Sequence, residues 1–208
     1  MTRLVFTGTD GAGKSTQIGR TIARLAERGL TARRYDKWDA YDRGRFPECR
    51  FVREPLEDLR RCIAEMEGEA RAMFLFWIIA TTLKGLGTCD VDVLDGYWYK
   101  HAASELTLGA SRRLIGALSA ALPPADHVLY LRVDPERALA RKPEVTRYEC
   151  GRDPEMSPDS FLRHQHRLRA ILDGWAKESG WAVIDANRPP DQVSAEVDRY
   201  VDQHLPTK

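Results

Sequence analysis

Residues 4–17 read Leu-Val-Phe-Thr-Gly-Thr-Asp-Gly-Ala-Gly-Lys-Ser-Thr-Gln. Leu4, Val5 and Phe6 form a short apolar β run. Ile18, Ile22, Leu25 and Ala26 then recur at helical spacing until Gly29, a natural C-terminal cap. Between them, Gly8-Thr9-Asp10-Gly11-Ala12-Gly13-Lys14-Ser15 meets the P-loop pattern. In that pattern backbone N–H groups and a helix N-terminus surround phosphate oxygens, the lysine reaches the outer phosphates and the hydroxyl meets Mg²⁺. Strand, glycine-rich loop and helix follow in the order this chemistry requires. Gly8, Asp10, Gly11, Ala12, Gly13, Lys14, Ser15 and Thr16 are therefore the expected nucleotide-binding residues.

The same grammar repeats along the chain. Ala32 to Tyr35 is a weak strand; Val91 to Leu94, His127 to Leu131 and Trp181 to Ile184 are stronger ones. Helical patterns lie between them: Leu56, Leu59, Ile63 and Met66 mark one, and Leu114, Leu118 and Leu122 another. Glu69 to Leu86 is apolar all round, which predicts a fully buried helix. A long helix from about Pro158 carries Phe161, Leu168, Ile171, Leu172 and Trp175, and a last one Val193, Val197, Tyr200 and Val201. Alternating strands and helices predict a parallel sheet covered on both faces, an α/β doubly wound fold of the P-loop NTPase type. Residues 37–55 and 142–158 fit no regular element, and loops of that length are usually functional.

The chain has 208 residues, which predicts a single domain over 1–208. Its 32 basic and 31 acidic residues leave a net charge of +1, so no global field draws it to nucleic acid or to an anionic membrane, and a bound anion must be held by local geometry. The longest apolar run, Ala72 to Ala80, is too short to span a bilayer, and the N-terminus lacks a secretory pattern, so the cytoplasm is the expected compartment. Cys49, Cys62, Cys89 and Cys150 have neither CxxC nor zinc-site spacing and read as reduced thiols.

A P-loop protein needs a carboxylate at the end of a neighbouring strand to hold the metal or its waters, and Asp95 follows Val91-Asp92-Val93-Leu94 directly. Ser15 and Asp95 are thus the expected Mg²⁺ residues. Phosphoryl transfer relies on positioning and on neutralising equatorial oxygens, so arginines on a closing flap are the expected catalysts. Six basic and four acidic residues lie between Arg132 and Arg152.

On these residues the sequence resembles the thymidylate kinase family of nucleoside monophosphate kinases. Phe6 to Gln17 is similar to the family's first strand and P-loop, Asp95-Gly96-Tyr97 stands where an Asp-Arg-Tyr type motif occurs, Asp126 to Arg141 is similar to the fourth strand and following helix, Arg147-Tyr148-Glu149 looks like the lid signature, and Val183 to Ala186 like the last strand and the loop near adenine. The resemblance implies a five-stranded parallel sheet with a short lid at about 142–158, ATP with Mg²⁺ as cofactors, a nucleotide-like phosphate acceptor and a homodimer. It implies Lys14, Asp95, Arg141 and Arg147 as catalytic residues and Ala186 beside the adenine. For the acceptor it points to Asp10, to Arg45 within Arg45-Phe46-Pro47-Glu48 or Arg53 within Arg53-Glu54-Pro55, and to Phe76; Tyr97 and Trp98 are further candidates because they directly follow Asp95.

The departures fall on the acceptor side. Gly96 stands in place of an arginine, and Ala80, one turn after Phe76, in place of a base-reading arginine. Phosphoryl transfer is thus better supported than thymidylate as its recipient. A different small metabolite or modified nucleotide is the first alternative, and a nucleotide-binding module without transfer the second.

Overall fold

The computed structural model describes residues 1–50, 52 and 55–207. In chain order it contains β1 (Thr2–Thr7), α1 (Lys14–Glu27), β2 (Ala32–Tyr35), α2 (Leu56–Glu65), α3 (Gly68–Thr82), β3 (Val91–Asp95), α4 (Tyr97–Thr107) and α5 (Arg112–Ala120), and then β4 (His127–Arg132), α6 (Pro135–Ala140), α7 (Pro158–Ser179), β5 (Ala182–Asp185) and α8 (Pro190–His204). The five strands form one parallel sheet in the order β2-β3-β1-β4-β5.

Period-two alternation builds the two faces. Leu4 and Phe6 of β1, Val93 of β3 and Leu129 and Leu131 of β4 pack against Ile18 and Leu25 of α1 and Val197 and Val201 of α8. Val5, Leu94 and Val128 point the other way, onto Ile79 of α3 and Tyr97 of α4, while Tyr130 meets Ala103 of α4 and Leu168 and Leu172 of α7. Burying each such side chain contributes about 1.5–3 kcal/mol, which makes the strand pattern decisive for the fold. Among the described residues no helix is long and apolar enough to cross a membrane.

Two elements differ from the sequence reading. The apolar helix α3 is not buried all round: Met73 and Trp77 are 49% and 36% exposed on its outer face, and Phe74 stacks on Trp77 at 5.8 Å. The second is α4, whose aromatic start conceals a helix behind positive backbone angles at Gly96 (φ 69) and Tyr97 (φ 44). The sheet positions the site. Phe6 of β1 pairs with Asp95 of β3, so the P-loop leaves the carboxyl edge of the sheet beside the Asp95 carboxylate, where the strand order reverses.

Candidate active site

The P-loop is shaped to leave donors free. Gly13 caps α1 at φ 86 with no side-chain cap, and the first turn holds no acidic residue, so the leading N–H groups of the helix face outward. A Cβ at Gly8 (φ 147) would meet the Leu131 carbonyl oxygen at 2.5 Å, whereas one at Gly13 would meet nothing within 4 Å. Close packing behind the loop and open space before the helix are the shape that phosphate groups require. Lys14 Nζ donates to the carbonyl oxygens of Gly8 (3.1 Å) and Thr9 (2.8 Å), and burial together with the Lys100 charge pulls its pKa down to about 8.

Two cavities meet at this loop. One, of about 550 Å³, is polar; it is bounded by Asp10, Gly11, Gly13, Lys14, Ser15 and Thr16 of the loop, by Arg34 of β2 and Lys37 and Trp38 just after it, and by Asp95, Lys100 and His101. Arg60, Lys142 and Glu149 close its rim. The other, of about 440 Å³, is mostly apolar and is lined by Ala12, Gln17, Arg141, Pro143, Ala186 and Val193 among others. A polar seat for phosphates beside an apolar pocket for a flat ring fits a nucleoside triphosphate.

Asp95 Oδ2 accepts from Arg34 Nη2 at 2.6 Å, and the same nitrogen donates to Asp36 Oδ2 at 2.7 Å. The carboxylate therefore already sits against a cation. Together with the Ser15 hydroxyl it offers oxygen donors suited to Mg²⁺, which takes few protein ligands and shares substrate phosphates. Among the described residues no group of three or more His, Cys, Asp or Glu side chains could hold a metal ion on its own.

Asp10 is held from two sides. Its backbone N–H donates to Gln165 Oε1 at 3.1 Å, and its carboxylate pairs with the Lys100 ammonium. Gln165 Nε2 also donates to the Glu149 carbonyl at 2.9 Å, which ties the P-loop to residues 142–158. Burial pushes the Asp10 pKa up, but the charges of Lys100 and Lys14 prevail and hold the carboxyl well below the usual range.

Several expected site residues lie elsewhere. Arg141 Nη2 donates to the Ala186 carbonyl at 2.9 Å, on the apolar pocket rather than over the phosphates. Arg147 Nε donates to the Arg152 carbonyl at 3.1 Å, and its Nη1 lies 3.5 Å from Glu65 of α2, so it is turned away from the cavity. Arg45 reaches Asp39 at 3.5 Å and lies over Phe46, outside the cavity lining. Arg53 falls outside the described residues. Phe76 packs with Ala72, Ala102 and Ile115 on the far side of α3, while Tyr97 donates its hydroxyl to the Pro123 carbonyl at 2.8 Å and Trp98 meets Trp175 at 6.0 Å. These aromatic side chains are core: Phe76 lies within α3, and the first turn of α4 carries Tyr97 and Trp98 under the sheet. One turn later the same helix delivers Lys100 and His101 to the cavity. With His101, the residues Arg34, Lys37 and Arg60 are lining residues that sequence reasoning missed. Only its helical offset from Asp95 could have pointed to His101.

No protein-family model matches the chain. It is 25% identical over 203 residues to a probable thymidylate kinase of Archaeoglobus fulgidus, covering 97% of this chain and 95% of that one. It is 27% identical over 205 residues to a thymidylate kinase of Deinococcus radiodurans, covering 93% of each. A thymidylate kinase of Parasynechococcus marenigrum is likewise 27% identical, over 216 residues and 97% of both chains. Such likeness over nearly the whole length, joined to a P-loop with its strand-end acid, makes this chain a phosphotransferase homologous to the thymidylate kinases.

Proposed function

We propose that the chain transfers the γ-phosphoryl group of ATP, with Mg²⁺, to a nucleoside monophosphate or a closely nucleotide-like acceptor, acting as one domain over residues 1–208 with a lid at about 142–158. The supporting observation is the convergence of Lys14, Ser15 and Asp95 on a polar cavity that shares its P-loop wall with a separate apolar pocket. Lys14 neutralises the transferring phosphate, Ser15 and Asp95 hold the metal site, and Asp10 faces the acceptor. Magnesium supplies charge neutralisation on the phosphate oxygens when bound. Ala186 and Arg141 border the donor's base. Arg147 acts only after the lid swings it off Glu65, and Arg45 or Arg53 reaches the acceptor only with a comparable rearrangement. The reading further expects a homodimer and residence in the cytoplasm.

The test is ADP release, followed by a coupled assay, across all common nucleoside monophosphates, then nucleosides, then small phosphorylated metabolites. Turnover that depends on one nucleotide acceptor supports the reading. ATP binding with no turnover on any acceptor refutes it in favour of a binding module. The metabolite alternative is favoured by one specific observation: no α3 side chain lines the polar cavity.

A further inference from the structure

Behind Lys37, Lys100 and His101, which line the polar cavity, lies Tyr148. Its ring lies 5.2 Å from the Arg71 guanidinium, 5.4 Å from Lys37 Nζ and 5.8 Å from Lys100 Nζ, and its hydroxyl is 2.8 Å from His101 Nδ1. Leu59, Ile63 and Leu75 pack against the same ring from behind. Three cations thus face a neutral ring. Two of them have carboxylate partners: Asp10 takes Lys100, and Glu105 lies 3.1 Å from Arg71 Nε. Among the described residues Lys37 has no carboxylate within ion-pair distance; its ammonium donates instead to His101 Nε2 at 3.0 Å. Since Lys37 takes Nε2 as acceptor, the His101 proton lies on Nδ1 and points at Tyr148.

The Arg71 guanidinium is the sharper anomaly. Its side chain is 1% exposed, Glu105 is close but out of line for a hydrogen bond, and none of its three nitrogens has a hydrogen-bond acceptor among the described residues. Leaving buried donors unmade is costly, and a ring face returns only part of that cost. With Lys37 protonated, the charge count around the ring is three cations against two carboxylates, an excess of +1. A neutral phenol supplies neither the missing acceptors nor the missing charge. A carboxylate or phosphate supplies both, and the guanidinium fork is shaped to take either.

We infer that Arg71, Lys37 and His101 form the seat of a second anionic group on the phosphate acceptor, a carboxylate or a phosphate distinct from the oxygen that receives the phosphoryl group, and that Tyr148 fills this seat until the acceptor displaces it. Calling the ligand an acceptor rests on the phosphoryl-transfer reading; the seat itself does not.

The experiment uses the full chain and matched probes. Binding is measured by calorimetry with a non-hydrolysable ATP analogue present, and turnover separately by ADP release. dTMP is set against 5-carboxy-2′-deoxyuridine 5′-monophosphate and thymidine 3′,5′-bisphosphate, and glycerol 3-phosphate against 3-phosphoglycerate. At least one probe with the added anion is expected to bind about tenfold or more tighter than its neutral partner, the size expected for hydrogen bonds to charged groups. Which probe gains separates carboxylate from phosphate. The advantage should fall below about threefold in Arg71→Met, and in Lys37→Gln should the first variant fail to fold. Trp38 packs in the Tyr148 cluster, so its fluorescence should change on binding. Equal or weaker binding of every added-anion probe, or an advantage that survives both substitutions, overturns the inference. Selective binding without turnover leaves the seat standing and removes the kinase reading; turnover without selectivity does the reverse.

Discussion

Replacing Lys100 with methionine keeps the length of the stem and removes the charge that Asp10 faces. The two side chains are 10% and 15% exposed, so solvent screening is weak and the pair counts as buried. Breaking such a pair from one side costs about 3–5 kcal/mol when the remaining charge is stranded. Asp10 is not fully stranded, since the Lys14 charge also acts on it and Gln165 Nε2 lies 3.5 Å from Oδ2, so about 2–3 kcal/mol is the better expectation. In a chain of 208 residues that corresponds to a fall of about 5–10 °C in Tm. The pH sign follows from the depressed Asp10 pKa. A carboxyl held below its unfolded value contributes stability that is fully present above about pH 4 and is lost as pH falls through the folded value. Thermal melts of wild type and Lys100→Met should therefore stay apart from about pH 5 to 8, begin to approach each other below about pH 4, and meet only as pH reaches the depressed folded value. A variant that melts within about a degree of wild type at pH 7 would refute the argument that this pair is buried and needed.

Lys14→Ala should abolish turnover with little loss of Tm, because the ammonium reaches only loop carbonyls in the protein; comparable kcat would remove the P-loop assignment. Burial and the Lys100 charge pull the Lys37 pKa down to about 7, so its cation is present below that pH and kcat/KM for the acceptor should fall as pH rises through it, a limb that Lys37→Gln should lack. Gln165→Leu removes the link between Asp10 and the Glu149 carbonyl and should lower kcat about tenfold with a smaller change in ATP KM; equal changes in both would mark a merely structural role. dTMP should be at least about tenfold poorer in kcat/KM than the best acceptor found, and a screen in which it ranks first would restore the plain family substrate.

The donor half of the site was legible because its signals are local. Glycines, lysine and serine at fixed offsets declare a cradle, and alternation along β1, β3 and β4 declares the sheet on which it rests. The far wall of the polar cavity is assembled from distant pieces. Arg34 and Lys37 come from the end of a weak strand and the turn after it, and Lys100 and His101 from a helix hidden in an aromatic run. None of these carries a period or a spacing that marks it. Arg71 opens a helix whose apolar content suggested burial all round, and this arginine proved to be almost fully enclosed, while two of the helix's apolar side chains are not.

Gly96 shows how a departure from a motif can be misread. From the sequence it is an arginine lost, and with it a phosphate contact. In the fold it is also a backbone position at φ 69 whose N–H donates to the Phe6 carbonyl at 2.8 Å, locking the end of β3 to β1 just where Asp95 must stand. An L-residue there costs about 1–2 kcal/mol of conformational strain, although a Cβ would meet nothing nearer than His101 Nε2 at 3.9 Å. Space is available and the backbone objects. The glycine lets the turn place Tyr97 under the sheet and, one helical turn on, Lys100 against Asp10. The charge missing at position 96 is thus resupplied at position 100, from the same turn and toward the same cavity. Arg34, Lys37, Arg60 and Lys100 therefore border the polar cavity where position 96 supplies no charge.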